Sequence, residues 1–136
     1  DDIIEKLYTD RKSFTIKNIV DPLSRGIGYN ETIVPIRSAG FSLDVIPGDP
    51  KLALSEDLLA TDWSAAISGQ VRGIRTSLLF SDLLSKCENY DLVFFDVGPS
   101  LGSINRAVLL ASSFYLSPMS TDIFSIKAIE NIAQWL

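Results

Sequence analysis

Apolar and polar positions alternate in two different ways along the chain. Between Ser64 and Lys86, apolar side chains recur at helical spacing, at Ile67, Val71, Ile74 and Leu78, and Leu79, Leu83 and Leu84 continue the stripe. This spacing predicts one long amphipathic helix. Further on, four consecutive apolar residues at 92–95 stop at Asp96. A continuous apolar run of this length between polar turns predicts a strand buried on both faces, as in the interior of a parallel sheet.

The same patterns and their breakers predict the remaining elements. In chain order these are a helix at Ile3–Tyr8, a helix at Ile16–Leu23 capped by Thr15, an edge strand at Thr32–Ile36, a strand at Ser42–Ile46, a short helix opened by Pro50, a helix starting near Ser55, a helix at Ser103–Ser113, a strand at Phe114–Pro118 and a last helix to Leu136. Strands alternate with helices from Phe41 onward, which predicts an α/β fold with a doubly wound, mostly parallel sheet. We interpret the chain as a single partial domain, with residues 1–40 as a helical and irregular lead-in and 41–136 as the α/β segment.

Two glycines four residues apart, Gly69 and Gly73, interrupt the predicted long helix. Each lowers helix propensity by roughly 1 kcal/mol relative to alanine. A glycine also leaves room for another backbone to approach closely. The pair therefore predicts close helix packing along one face.

The end of the apolar run at Asp96 is the first candidate for chemistry. In open α/β sheets, ligands bind just beyond the carboxyl ends of the strands, so Asp96 stands where a ligand would be met. A strand that ends in an acid before a Gly-Pro-Ser turn is typical of a Walker B strand, here 91–96, whose acid serves a Mg-bound nucleotide. The alternative is an aspartate that only caps the turn after the strand.

Composition excludes several classes of function. The 136 residues include no histidine and one cysteine, Cys87, which excludes His-based catalytic triads, His-ligated zinc and intrachain disulfides. We expect Cys87 to be a half-buried helix residue. The net charge of −5 argues against a dominant phosphate-binding surface on this segment. No run approaches the ~20 apolar residues of a transmembrane helix, and no signal peptide is visible. We therefore expect a soluble, cytoplasmic protein without a membrane partner.

The segment from Asn89 to Leu136 resembles the ParA/MinD family of deviant Walker A ATPases, especially the ParA-like partition branch. The resemblance lies in YDLVFFDVGPSLGSINRAVLLASSFYLSPMSTDIFSIKAIENI, and more loosely in FSLDVIPGDPKLALSEDLL from Phe41 to Leu59. The family shows a strand ending in Asp, a Pro-Ser-Leu-Gly turn, a helix with small residues, a strand ending in Pro, and then an acid and Phe-Ser. The resemblance implies a P-loop NTPase-like fold.

The resemblance also implies roles for individual residues. Asp96 would orient Mg²⁺, chiefly through a bound water. The turn after it would sense the γ-phosphate, and the end of the next strand would approach adenine and ribose. The implied nucleotide-binding residues are Gly98, Pro99, Ser100, Gly102, Pro118 and Asp122. The common family form has Pro where Gly98 stands, and Asp122 is equally suited to cap the last helix.

The phosphate-binding loop of the family has no counterpart in this sequence. No G-x-x-x-x-G-K-[ST] occurs, and the first strand that should precede it is not found either. The helical pattern still continues at Leu136, and we expect the C-terminal part of the fold to be absent as well. We therefore expect a piece of a longer protein, with a Gly-Lys-rich loop encoded roughly 40–50 residues upstream, given the usual length of a βαβ unit. We expect the piece alone to bind no ATP or Mg²⁺ and to hydrolyse none.

The resemblance implies a function for the intact protein. It would bind and hydrolyse ATP as a nucleotide-sandwich homodimer. Hydrolysis would change its binding of non-specific DNA and of a partition partner protein. Such a protein acts in plasmid or chromosome partitioning. Arg72 and Arg75 share a helix face with Asp82 nearby, and this face is either solvated surface or a contact to a partner or the DNA backbone.

Two alternatives remain open. One is a non-catalytic ParA-like module that keeps a dimer or partner surface without nucleotide. The other is a phosphoacceptor receiver domain, which DLVFFD superficially resembles. Receiver domains place Pro four and Gly eight residues after the Asp, whereas here Pro99 and Gly102 follow Asp96 by three and six.

Overall fold

The computed structural model describes residues 14–24, 32–38, 40–98, 100, 102–118, 120 and 123–135. The helix predicted at Ile3–Tyr8 lies outside these residues. The chain divides into two compact units, one up to Leu58 and one from Leu59 onward. None of the helices among the described residues is long and apolar enough to span a membrane.

In the described part of the first unit, helix α1 spans Ile16–Ser24, which confirms the helix predicted at Ile16–Leu23. Thr15 precedes it, and its backbone N–H donates to Asn18 Oδ1 at 2.8 Å. This is half of a capping box, because the side chain at the third helical position reaches back to the residue before the helix. The Ile16 N–H donates to the Pro47 carbonyl at 2.9 Å, which fixes the start of α1 against the segment that follows the hairpin.

The sheet of the described residues is a two-stranded antiparallel hairpin. Strand β1 is Ile36–Ser38 and strand β2 is Leu43–Val45, with Arg37 opposite Asp44. The prediction at Ser42–Ile46 is thereby confirmed, but the edge strand predicted at Thr32–Ile36 starts where it was expected to end. Pro35 accounts for this shift, because it has no N–H to donate to a ladder.

The predicted short helix is present after the hairpin as a 3₁₀ helix at Pro50–Ser55. Asp49 caps it, since its Oδ1 accepts from the Lys51 N–H at 2.8 Å. Helix α2, Glu56–Ile67, follows directly and carries Glu56 and Asp57 in its first turn. Acidic residues in this position favour helix initiation through the helix dipole.

The long helix predicted at Ser64–Lys86 is wrong as a single element. The structure divides it into the end of α2, helix α3 at Val71–Ser77 and helix α4 at Leu79–Leu84. Gly69 ends α2 with φ +78°, while its N–H donates to Ala66 O and the Gln70 N–H donates to Ala65 O. This pair of bonds is a Schellman motif, which commonly places a glycine in the left-handed region.

Gly73 brings α3 against the backbone of α2, as the glycine pair predicted. A Cβ on Gly73 would lie 2.4 Å from both Ala66 N and Asp62 O. Beside this contact, the buried Asp62 accepts a 2.8 Å hydrogen bond from Thr76 Oγ1. The packing of α3 on α2 is therefore made by a glycine and a polar pair instead of by the predicted apolar stripe.

The first part of that apolar stripe is exposed, whereas its continuation at Leu79 and Leu83 is buried. Ile67, Val71, Ile74 and Leu78 are exposed, whereas the buried residues of α3 are Gly73, Thr76 and Ser77. Val71 and Ile74 lie on one exposed face of α3, whereas Ile67 belongs to α2, before the turn at Gly69, so the spacing did not predict one continuous helix face. The direction of the face depends on Gly73, because only a residue without a side chain allows the approach of the two backbones.

The core of the second unit lies where α4 packs on helix α5, Ser103–Ala111. Its buried apolar residues are Leu59, Leu79, Phe80, Leu83, Ala107 and Val108. Helix α5 confirms the prediction at Ser103–Ser113, and helix α6, Ile123–Trp135, confirms the last predicted helix. Phe95 packs edge-on against Phe80, with ring centroids 5.6 Å apart.

The strands predicted at 91–96 and 114–118 are not formed. Both segments lack a hydrogen-bonded partner strand among the described residues, and their apolar side chains are largely exposed: Leu92 74%, Phe94 79%, Phe114 93% and Leu116 82%. The expectation of burial on both faces is thus not met, because a parallel strand needs neighbouring strands to satisfy its backbone. The chain combines helices and strands, which bears out the α/β class, but the described residues form no parallel sheet.

These exposed segments lead to a prediction of self-association. Contiguous exposed apolar side chains with unpaired backbone groups promote pairing with another chain. We expect light scattering to give a mass above 14.9 kDa that rises with concentration. Phe94→Ser combined with Phe114→Ser should lower it, whereas Phe41→Ser, at an equally exposed position in the hairpin turn, should not. A concentration-independent mass of 14.9 kDa for the unmodified chain would refute the prediction.

Candidate functional site

The candidate site is the turn between Asp96 and helix α5. Gly102 precedes the helix as its N-terminal capping residue, with φ −61° and ψ 165°. The Arg106 N–H donates to the Gly102 carbonyl at 3.0 Å, which closes the first helical turn. Ser103, at the first helical position, is buried. The turn therefore leads into a helix whose start is fixed in the core of the second unit.

Asn105 connects the helix to the turn. Its Nδ2 donates to the Gly98 carbonyl at 2.7 Å, to the Ser100 carbonyl at 2.7 Å and to Ser100 Oγ at 3.2 Å. Asn105 is 9% exposed, whereas Gly98 and Ser100 are exposed. The helix thus holds the turn through one buried amide, which brings two of the predicted site residues together.

Sequence reasoning missed Asn105. The available signal was its position, since asparagine is a poor residue for a helix interior, where its side chain competes for backbone hydrogen bonds. An asparagine within the first turn after a Gly-Pro-Ser-Leu-Gly segment can instead bond back to that segment.

Asp96 is exposed at the beginning of the turn. Among the described residues, no group of three or more acidic, histidine or cysteine side chains is placed to hold a metal ion. A single exposed carboxylate still fits Mg²⁺, because Mg²⁺ keeps several waters and uses one or two carboxylates together with substrate phosphates. It does not fit a metal held by the protein alone.

The remaining predicted site residues are only partly described. Pro99 and Asp122 lie outside the described residues. Pro118 is exposed, and no hydrogen bond between described residues joins it to the turn. Just after it, the Ser120 N–H donates to Ser125 Oγ at 3.2 Å, which ties the approach to α6 to the first turn of that helix.

The two arginines of α3 have different surroundings. Arg72 is 65% exposed in its side chain, and its Nε lies 3.5 Å from Oδ1 of the buried Asp62. Arg75 is exposed on the outer face of the helix. Arg106 lies over the Trp63 ring, with its guanidinium carbon 5.9 Å from the ring centroid, so Trp63 takes part in a cation–π contact. The side chain of Trp135 lies outside what the structure describes.

Cys87 is half-buried just after α4, and its Sγ donates to the Leu83 carbonyl at 3.4 Å. Burial desolvates the thiolate and raises the pKa of Cys87. The thiolate is the nucleophile in alkylation, so a raised pKa slows the reaction below that pKa. We expect iodoacetamide at pH 8 to alkylate the native chain more slowly than the urea-unfolded chain. The difference in alkylation rate between the native and unfolded chains should close as the pH rises past the raised pKa. Equal rates at pH 8 would contradict the raised pKa of Cys87.

Comparison with known proteins identifies the family of this chain. A family model described as an AAA domain matches residues 7–136, which is nearly the whole chain. The chain therefore belongs to this family, in its ParA-like branch, as the resemblance between Asn89 and Leu136 predicted.

Individual relatives agree with this assignment. The chain is 32% identical over 108 residues to a ParA family protein from Chlamydia trachomatis serovar D, an alignment covering 78% of this chain and 38% of the relative. It is also similar to the crystal structure of protein DIP2308 from Corynebacterium diphtheriae, with a TM-score of 0.77 and 39% identity over 89% of this chain and 42% of that one. The chain thus spans about two fifths of the length of each of these two proteins.

Proposed function

We propose that this chain is a segment of a ParA-like ATPase that acts in DNA partitioning. Its family membership over residues 7–136 is the observation that carries the proposal. In the intact cytoplasmic protein, two copies would enclose Mg-ATP between them. Hydrolysis would then change the binding of non-specific DNA and of a partition partner. The doubly wound parallel sheet belongs to this proposal, with the segments 92–95 and 114–118 as two of its strands.

The turn after Asp96 supports the nucleotide part of the proposal. Mg²⁺ on ATP neutralises the charge that develops on the transferred phosphoryl group. Asp96 would orient that ion through water, because its carboxylate is exposed and free to accept from a water ligand. Gly98 and Ser100, held by Asn105, would face the terminal phosphate. Pro118 and Asp122 would approach the base and ribose.

The phosphate-binding loop is the part of the site that this sequence does not contain. Its backbone N–H groups and lysine supply most of the phosphate contacts in P-loop proteins. We therefore predict that the 136-residue chain binds Mg-ATP no better than millimolar, which corresponds to about −4 kcal/mol. Titration calorimetry measures this directly. A micromolar Kd for the isolated chain would reveal a phosphate site that the sequence motif does not represent.

The non-catalytic module is the second candidate. The outward apolar face of α3, formed by Val71 and Ile74 and extended by Leu78 just after the helix, favours it, because such a face can bind a partner without nucleotide. The intact protein separates the two candidates. Micromolar binding of Mg-ATP by the intact protein supports the ATPase. Binding of a partner protein without micromolar binding of Mg-ATP supports the non-catalytic module.

A further inference from the structure

The turn between Asp96 and α5 is held by hydrogen bonds and not by packing around Gly98. A Cβ built on Gly98 would have nothing within 4 Å, so this part of the turn borders open space. Gly98 and Ser100 are both exposed. Asn105 Nδ2 meets the turn from the opposite, buried side and reaches three of its oxygen atoms.

The chemistry of the asparagine amide suits this role. An amide NH₂ carries two donor hydrogens, and two carbonyls at 2.7 Å use both of them. A buried donor without an acceptor is unfavourable, so the pairing stabilises this position of the turn over others. The third acceptor, Ser100 Oγ at 3.2 Å, shares one of the hydrogens and orients the hydroxyl.

We propose that Asn105 is a positioning residue that orders the turn before a ligand phosphate arrives. This inference rests on the proposed function, because it assigns the turn to the terminal phosphate of a nucleotide. A turn that is already ordered loses less conformational freedom on binding, which raises affinity without any contact between Asn105 and the ligand. Asn105 would thus control the affinity for the phosphates and not for the base.

The first experiment measures the turn without any nucleotide. In the intact protein without nucleotide, ¹⁵N relaxation should give Gly98 and Ser100 amides order parameters near ~0.85, and Asn105→Ala should lower them below ~0.6. Asn105→Asp keeps the shape but removes both donors, so it should loosen the turn as much as alanine does. Ser112→Ala is the matched control, since Ser112 Oγ donates to Val108 O, at the other end of α5.

Ser100→Ala provides a variant that leaves α5 intact. It removes the Oγ acceptor on an exposed residue and retains both carbonyls. We therefore expect the order parameter of the amide at position 100 to lie between those of the unmodified protein and the Asn105 variants. This variant keeps the test decisive if an Asn105 variant fails to fold. Unchanged order parameters in Asn105→Asp, or in Ser100→Ala where the former is unfolded, would overturn the positioning role.

The second experiment uses the intact protein that contains this chain. Asn105→Ala and Asn105→Asp should each weaken Mg-ATP binding at least about fivefold, the equivalent of one net hydrogen bond, and leave AMP binding unchanged. Ser112→Ala should leave both affinities unchanged. A loosened turn with unchanged ATP affinity would overturn the link between Asn105 and the phosphates. If the unmodified protein binds no Mg-ATP, the proposed function is refuted. Lower order parameters in the Asn105 variants would still support the role of Asn105 in positioning the turn.

Discussion

Asp96→Ala should lower the ATP turnover of the intact protein by at least about 10²-fold, the scale that one electrostatic contact to a transition state reaches. A tenfold change in rate equals about 1.4 kcal/mol, so this is close to 3 kcal/mol of lost transition-state stabilisation. The side chain of Asp96 is exposed, and its removal leaves no cavity. We therefore expect the folded state to be retained and only the chemical step to suffer.

Asp91→Ala is the matched control for this variant. Asp91 is an exposed aspartate at the start of the same segment, five residues earlier in the chain. Phosphate release should stay within about twofold of the unmodified protein, the usual range for surface substitutions, and circular dichroism should show the fold of both variants. Near-normal turnover of Asp96→Ala, or its unfolding, would make Asp96 a structural residue.

Gly73→Ala should have the largest effect on stability. The new Cβ would lie 2.4 Å from Ala66 N and Asp62 O, two backbone atoms that cannot move without shifting α2. Overpacking of this kind costs about 1–3 kcal/mol, and the better helix propensity of alanine offsets about 1 kcal/mol. We expect a net loss of up to about 2 kcal/mol and a Tm lower by up to about 7 °C for a chain of this size.

Gly48→Ala provides the control for the effect of an added alanine on the unfolded chain. A Cβ on Gly48 meets nothing within 4 Å, and its φ is not in the left-handed region. We expect this substitution to raise the free energy of unfolding by about 0.4–1 kcal/mol, because alanine restricts the conformations of the unfolded chain. Thermal unfolding followed by circular dichroism measures both variants. Equal Tm values for the two would show that α3 does not pack on α2 through Gly73.

Local signals predicted most of the helices correctly. Thr15, Pro50 and Ser55 each stand at a helix start that the structure contains, because capping and the fixed φ of proline act within one turn. The glycines were harder to interpret. Gly69 ends a helix and Gly73 allows close packing, yet both have the same appearance in a sequence pattern. The orientation of α3 therefore could not be predicted from apolar spacing alone.

Strand formation depended on information that the sequence pattern does not hold. Strand β2 forms because its partner is nearby in the chain and a hairpin closes quickly and locally. The runs at 92–95 and 114–118 have equally strong apolar character, but a parallel strand requires distant partners. In the same way, Asp96 was identifiable from its place after an apolar run, whereas Asn105 was found only from the hydrogen bonds that its side chain makes.

Sedimentation of the intact protein in Mg-ATP and in Mg-ADP tests the central proposal most directly. A nucleotide-sandwich ATPase should show twice its protomer mass in Mg-ATP and the protomer mass in Mg-ADP, because the terminal phosphate completes the contact between two copies. Asp91→Ala should behave like the unmodified protein. A mass that is the same in both nucleotides, at concentrations well above the Kd for each, would contradict the account.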